Sequence, residues 1–100
     1  MQHLIDKLPE TIEAFSQMRS TIFKDNALDV RTKELIAVAS AVLMRCEKCV
    51  EIHSERALSN GATKDEIAEA ISVAMFIAGG SQLHWTDVYN KILEDSEDNL

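Results

Sequence analysis

The chain has 100 residues, 46% apolar and 27% charged, with three glycines, one proline and two cysteines. That length suits one domain around one core, and so little glycine and proline excludes collagenous, disordered and low-complexity architectures. Seventeen acidic against ten basic residues leave a net charge of −7, so no cationic field is present to gather nucleic acid or anionic lipid.

Residues 1 to 30 lack the basic segment, apolar core and cleavage site of a signal peptide, and no apolar run approaches the ~20 residues that span a bilayer. A single cytoplasmic domain over residues 1–100, with no membrane or nucleic-acid partner, is therefore the expectation. Residues 1 to 8 carry few structural signals and read as a loose leader. From Pro9, a residue suited to a first helical turn, Ile12, Ala14, Phe15, Met18, Ile22 and Phe23 fall at amphipathic spacing and predict a helix over 9–23. Lys24 to Leu28 is a polar connector, and Asp29 is a natural N-cap for the next helix, over 30–44.

Leu35, Ile36, Val38, Ala39, Val42, Leu43 and Met44 wrap most of that second helix in apolar atoms. A helix of this kind is buried on several sides, and so short a chain cannot cover it alone, which predicts self-association. A third helix runs from Cys46 to Ser59 and stops at Asn60-Gly61, where glycine can take the left-handed conformation. Thr63 and Glu66 form a capping box for a fourth, with a stripe of Ile67, Ala70, Ile71, Ala74, Met75 and Ala78, expected to end at Gly79-Gly80. A last helix is expected over 82–94, followed by a frayed acidic tail, EDSEDNL. The pattern is all-α, with about five helices and no strand signal, internal repeat or domain linker.

The chemistry concentrates in ELIAVASAVLMRCEKCVEIH, residues 34 to 53, which holds both cysteines at C-x-x-C spacing. On a helix, Cys46, Cys49 and His53 fall within about 60° of one another, so one face carries two thiols and an imidazole. α-Carbons three residues apart lie about 5 to 5.5 Å apart, inside the roughly 4.4 to 6.8 Å that a disulfide requires. In a reducing compartment such a pair is redox-active or metal-binding rather than a permanent staple.

Leu35, Ala39, Val42, Cys46, Cys49 and His53 follow an unbroken four-three alternation, so residues 30 to 60 could be drawn as one rod. That rod would place Glu34 about 18 Å from Cys46 along the axis. Uncapped helices beyond roughly 25 residues are unusual in small domains, which favours a tight reversal near Met44-Arg45 and a central antiparallel hairpin. In the hairpin Glu34 and His53 stand within about one helical turn of each other. A carboxylate beside an imidazole orients it and raises its basicity, and the imidazole can then take a thiol proton. His53 is nearer Cys49, while Cys46 sits at the helix head where the dipole favours a thiolate, so spacing alone leaves open which sulfur attacks.

Glu34, eleven intervening residues, Cys46-x-x-Cys49, three more and His53 resemble the signature of the alkyl hydroperoxidase D-like branch of the carboxymuconolactone decarboxylase superfamily. RTKELIAVASAV before the cysteines, and ERALSNGATKDEIAEAI and AGG after the histidine, extend the likeness over roughly residues 28 to 80. The resemblance implies an all-helical fold with a helix hairpin, trimers or hexamers with sites near subunit contacts, and peroxidase or thiol-disulfide chemistry without a bound cofactor or metal. It implies Cys49 as attacking thiol, Cys46 as resolving thiol, Glu34 with His53 as proton relay, a peroxide or disulfide as substrate, and an external dithiol as reductant. Peroxidase members carry a second histidine just before the second cysteine, where this chain has Lys48. The decarboxylase branch lacks the cysteine pair, which makes a lyase the weaker reading.

Plainer readings compete at each position. The cysteines could be small apolar core residues, Glu34 a solvated first-turn acid, and the four side chains together a zinc site or a redox-responsive switch without turnover. Residues three and seven apart on one rigid helix reach a common metal less readily than ligands on a loop. His3 and His84 read as surface or packing residues, Trp85 and Tyr89 as packing, and Met18, Met44 and Met75 as core filling.

Overall fold

A computed structural model describes residues 1–98. The helices are α1 (Gln2–Lys7), α2 (Pro9–Ile22), α3 (Val30–Leu43), α4 (Glu47–Ser59), α5 (Lys64–Trp85) and α6 (Asp87–Asp98), and no strand occurs among the described residues. The all-α architecture with a central hairpin, expected from the spacing, is the one found.

α3 starts where Asp29 accepts the Thr32 backbone N–H on Oδ1 at 2.8 Å, and Thr32, through its side chain first and then this backbone bond, holds the Asp29 carboxyl below its usual pKa. The helix ends in a Schellman turn: the Cys46 N–H donates to the Ala41 carbonyl at 3.0 Å and the Arg45 N–H to the Val42 carbonyl at 3.1 Å. This closure requires a left-handed residue at position 45, and Arg45 takes φ 57°. The chain therefore reverses just ahead of Cys46, and α4 returns antiparallel along α3. α4 ends in the same motif, with the Ala62 N–H on Ala57 O and Gly61 at φ 94°, here with glycine supplying the left-handed residue.

α5 opens with both halves of the capping box, Thr63 Oγ1 accepting from the Glu66 N–H and Glu66 Oε1 from the Thr63 N–H. The Thr63 backbone bond and then the Arg31 guanidinium hold the Glu66 carboxyl below its usual pKa. The Arg31–Glu66 ion pair ties the start of α3 to the start of α5.

Val38 and Ala41 of α3, Ala57 of α4, Ala62 in the turn after α4, and Ala74 of α5 form the buried core. Small side chains at these places let the three helix backbones approach closely. α5 lies mainly against α3, α1 and α2 pack on each other, and α6 packs on α5. The ends of the chain thus reach outward, and the radius of gyration is 19.7 Å, against about 13 Å for a compact 100-residue chain.

Two expectations about the ends change. Residues 2 to 7 of the supposed leader form α1, a helix with no buried residue. Gly79 and Gly80 do not stop α5, which runs on to Trp85. Glycine lowers helix propensity by only about 1 kcal/mol, and a pair inside a long hydrogen-bonded helix weakens it without breaking it. The break comes at Thr86, whose backbone N–H and Oγ1 both turn back to Leu83 O, so the expected helix over 82–94 is divided between α5 and α6. α6 extends through most of the acidic tail expected to fray; its residues 99 and 100 lie outside the described residues.

A left-handed non-glycine residue costs roughly 1 to 2 kcal/mol, and part of this returns when glycine replaces it. Arg45→Gly is expected to raise the unfolding free energy by ~0.5 to 1 kcal/mol at unchanged m-value in urea, and Arg45→Val to lower it.

Candidate active site

The reversal at Arg45 sets α3 and α4 side by side, and it brings the buried carboxylate of Glu34 to His53. Glu34 Oε2 lies 2.6 Å from His53 Nδ1. The Glu34 residue is 2% exposed, and no buried side-chain nitrogen or oxygen among the described residues lacks a hydrogen-bond partner. Burial of a carboxylate is tolerated when a donor faces it, and here the donor is the imidazole N–H. With Nδ1 donating to Glu34, the free lone pair of the neutral ring is on Nε2. The solvated-acid reading of Glu34 is excluded by this burial.

Cys46 and Cys49 are joined as a disulfide with α-carbons 5.2 Å apart. Cys46 is the N-cap of α4, and its Sγ accepts the backbone N–H of Cys49 at 3.2 Å. A sulfur there meets both a hydrogen-bond donor and the positive end of the helix dipole, which favour the thiolate when the bond is reduced. His53 stands four residues beyond Cys49 on the same helix, about 6 Å along the axis. The two sulfurs therefore have different anion-stabilising surroundings: backbone for Cys46, a nearby imidazole for Cys49.

Cys46 also borders an open groove of about 520 Å³, whose walls include Ala41, Val42, Arg45, Val50 and Met75. The remaining position of interest, Lys48, is exposed in the first turn of α4. As ligands for a metal, the four side chains are otherwise engaged in this state: the sulfurs bind each other and Glu34 binds the imidazole. Among the described residues no three His, Cys, Asp or Glu side chains converge on a common point.

Two contributors escape the sequence pattern. The ring of Phe23, the C-cap of α2, stacks on the His53 imidazole with centroids 5.4 Å apart and planes inclined by 24°. Lys33, the residue before Glu34, donates its ammonium to Ile22 O at 2.8 Å and Lys24 O at 2.7 Å, on either side of Phe23. Thirty residues separate Phe23 from His53, and no periodicity links them. His3 on α1 and His84 at the end of α5 are exposed, and so, against the packing expected of them, are Trp85, Tyr89, Met18, Met44 and Met75, which the chain alone does not cover.

The all-helical fold has counterparts among known proteins. The family model described as carboxymuconolactone decarboxylase family matches residues 9–87, and the chain belongs to that family. It is 45% identical over 69 residues to uncharacterized protein 4 in the cox locus of Paracoccus denitrificans, a match covering 69% of this chain and 62% of that one. It is 31% identical over 65 residues to the alkyl hydroperoxide reductase AhpD of Corynebacterium kroppenstedtii, covering 65% of this chain and 37% of that one. The chain thus spans less than two thirds of the length of these curated relatives.

Among solved structures, a protein of Methanobacterium thermoautotrophicum superposes with a TM-score of 0.80 at 37% identity, covering 86% of this chain and 97% of that one. A carboxymuconolactone decarboxylase family protein of Thermotoga maritima, for which a part in an antioxidative response has been suggested, gives 0.64 at 27% identity, covering 90% and 96%. These likenesses bear out the resemblance to the alkyl hydroperoxidase D-like branch.

Removing the buried acid strands its partner. Glu34→Ala is expected to lower the unfolding free energy by ~2 to 4 kcal/mol, through the orphaned imidazole N–H and the cavity left behind. Glu34→Gln, which can still accept from Nδ1, is expected to cost about 1 kcal/mol. Equal small losses in urea unfolding of the two variants would show that the contact is not held in solution.

Proposed function

We propose that the chain is a thiol-dependent oxidoreductase that reduces peroxides or disulfides through Cys46 and Cys49. The observation that carries the reading is the buried 2.6 Å contact between Glu34 and His53, one helical turn from a cysteine pair that can close. A carboxylate in that position holds the imidazole in the tautomer that can accept a thiol proton. The likeness to an alkyl hydroperoxide reductase supports the same chemistry.

In the proposed cycle His53 takes the proton of the Cys49 thiol, and the thiolate attacks the terminal oxygen of a hydroperoxide. The O–O bond breaks, the sulfur becomes a sulfenic acid, and the departing alkoxide takes the proton from His53 as an alcohol. The Cys46 sulfur then displaces hydroxide from the sulfenic sulfur, which leaves as water with the Cys46 proton, and the disulfide closes. A disulfide substrate would follow the same path through a mixed disulfide. An external dithiol returns two electrons and two protons and is itself oxidised to a disulfide; the groove beside Cys46 offers it an approach to that sulfur. The cytoplasm, where such reductants are kept, is the fitting compartment.

The reading includes assembly of several copies, three or six as the family resemblance implies. Phe15 and Met18 of α2 and Val73, Phe76, Ile77, Leu83 and Trp85 of α5 are exposed, and α2 packs on none of α3, α4 and α5. Apolar surface of this extent on a small chain marks an interface. Light scattering is expected to return a mass of three or six chains, and a mass of one chain would refute assembly.

Steady-state peroxide consumption with a small dithiol tests the activity. Cys49→Ser is expected to abolish it, and Cys46→Ser to leave a sulfenic acid that a dimedone probe captures. The reverse pattern would exchange the two roles. One equivalent of oxidation followed by arrest in the unaltered protein would instead make the pair a redox-responsive element without turnover.

A further inference from the structure

α2 makes no helix packing with α3, α4 or α5, so nothing in the hairpin requires it. Its C-cap residue, Phe23, nevertheless lies across the imidazole of the candidate site. We infer that Phe23, pinned by Lys33, is a positioning residue for His53 that fixes the plane of the imidazole and with it the direction of Nε2. This assignment rests on the thiol oxidoreductase reading and deepens it.

A single hydrogen bond at Nδ1 defines one point on the His53 ring and leaves the ring free to tilt about it. A stacked ring supplies the missing restraint, because a face contact opposes tilt while leaving the ring edge open. Glu34 thus holds the imidazole from its edge and Phe23 from its face. Both restraints are anchored at the same place, since Lys33 and Glu34 are consecutive on α3. Lys33 donates to the carbonyl of Ile22 at the end of α2 and to that of Lys24 just beyond it, and so pins the backbone on both sides of Phe23. Misplacement of a proton acceptor by a fraction of an ångström slows proton transfer severely, so a restraint of this kind would be felt in the reactivity of the thiol.

The test uses Cys46→Ser protein, in which Cys49 is the only remaining cysteine, and measures its alkylation rate by iodoacetamide at pH 7. Phe23→Leu is expected to slow alkylation by about 3- to 10-fold and Phe23→Tyr to restore it, the size expected from loss of an aromatic stack. In a His53→Gln background Phe23→Leu is expected to change nothing further, because the ring acts through the imidazole. Equal rates with and without Phe23→Leu, or the same loss in the His53→Gln background, would overturn the assignment. A rate that ignores His53→Gln would remove the oxidoreductase reading beneath it, so the two failures are told apart.

Discussion

The contact between Glu34 and His53 is the constraint on which the arrangement of the site depends. A carboxylate taken out of water loses several kcal/mol of hydration, and only a donor brought to it can offset that. The donor lies nineteen residues further along the chain, so it can arrive only if the intervening segment doubles back. The Schellman turn at Met44-Arg45 performs that reversal, even though its left-handed position is filled by arginine rather than glycine. The same turn delivers Cys46 as the N-cap of the returning helix, so the backbone that buries the acid also gives the first sulfur its N–H donor.

Around this hairpin the packing is economical. Alanines at 41, 57, 62 and 74 let α3, α4 and α5 meet closely, while the Arg31–Glu66 pair and the capping box fix the start of α5. What these three helices do not provide is cover for the long apolar faces of α2, α5 and α6. A chain with a radius of gyration of 19.7 Å and rings such as Phe76 and Trp85 in solvent presents surface that folding alone has not buried. The proposed assembly accounts for that surface.

The chain belongs to the carboxymuconolactone decarboxylase family, and the proposed chemistry rests on the site within it. A cysteine pair that closes at the N-terminus of α4, with an oriented base one turn further on, is suited to moving two electrons between sulfur and a substrate. Two sulfurs with unlike surroundings also suit the division of labour in the proposed cycle, in which the imidazole takes the proton of Cys49 and the helix end favours Cys46 as an anion. Lys48 precedes Cys49, and His53 is the histidine on α4.

Much of this was legible in the chain itself, because it depends on interactions only a few residues long. Helical periodicity, the caps at Asp29 and Thr63, the stop at Gly61 and the shared face of Cys46, Cys49 and His53 are all local. The hairpin followed from helix length and from a spacing that resembles a known signature. The ends were read less well, since Gly79-Gly80 is a weak breaker and helix propagation through it is decided by the whole of α5. The stacking of Phe23 on His53, the Lys33 clamp and the Arg31–Glu66 pair belonged to the tertiary structure alone. Each joins residues brought together by chain reversals, and no pattern along a sequence encodes a distance between segments that meet only after folding.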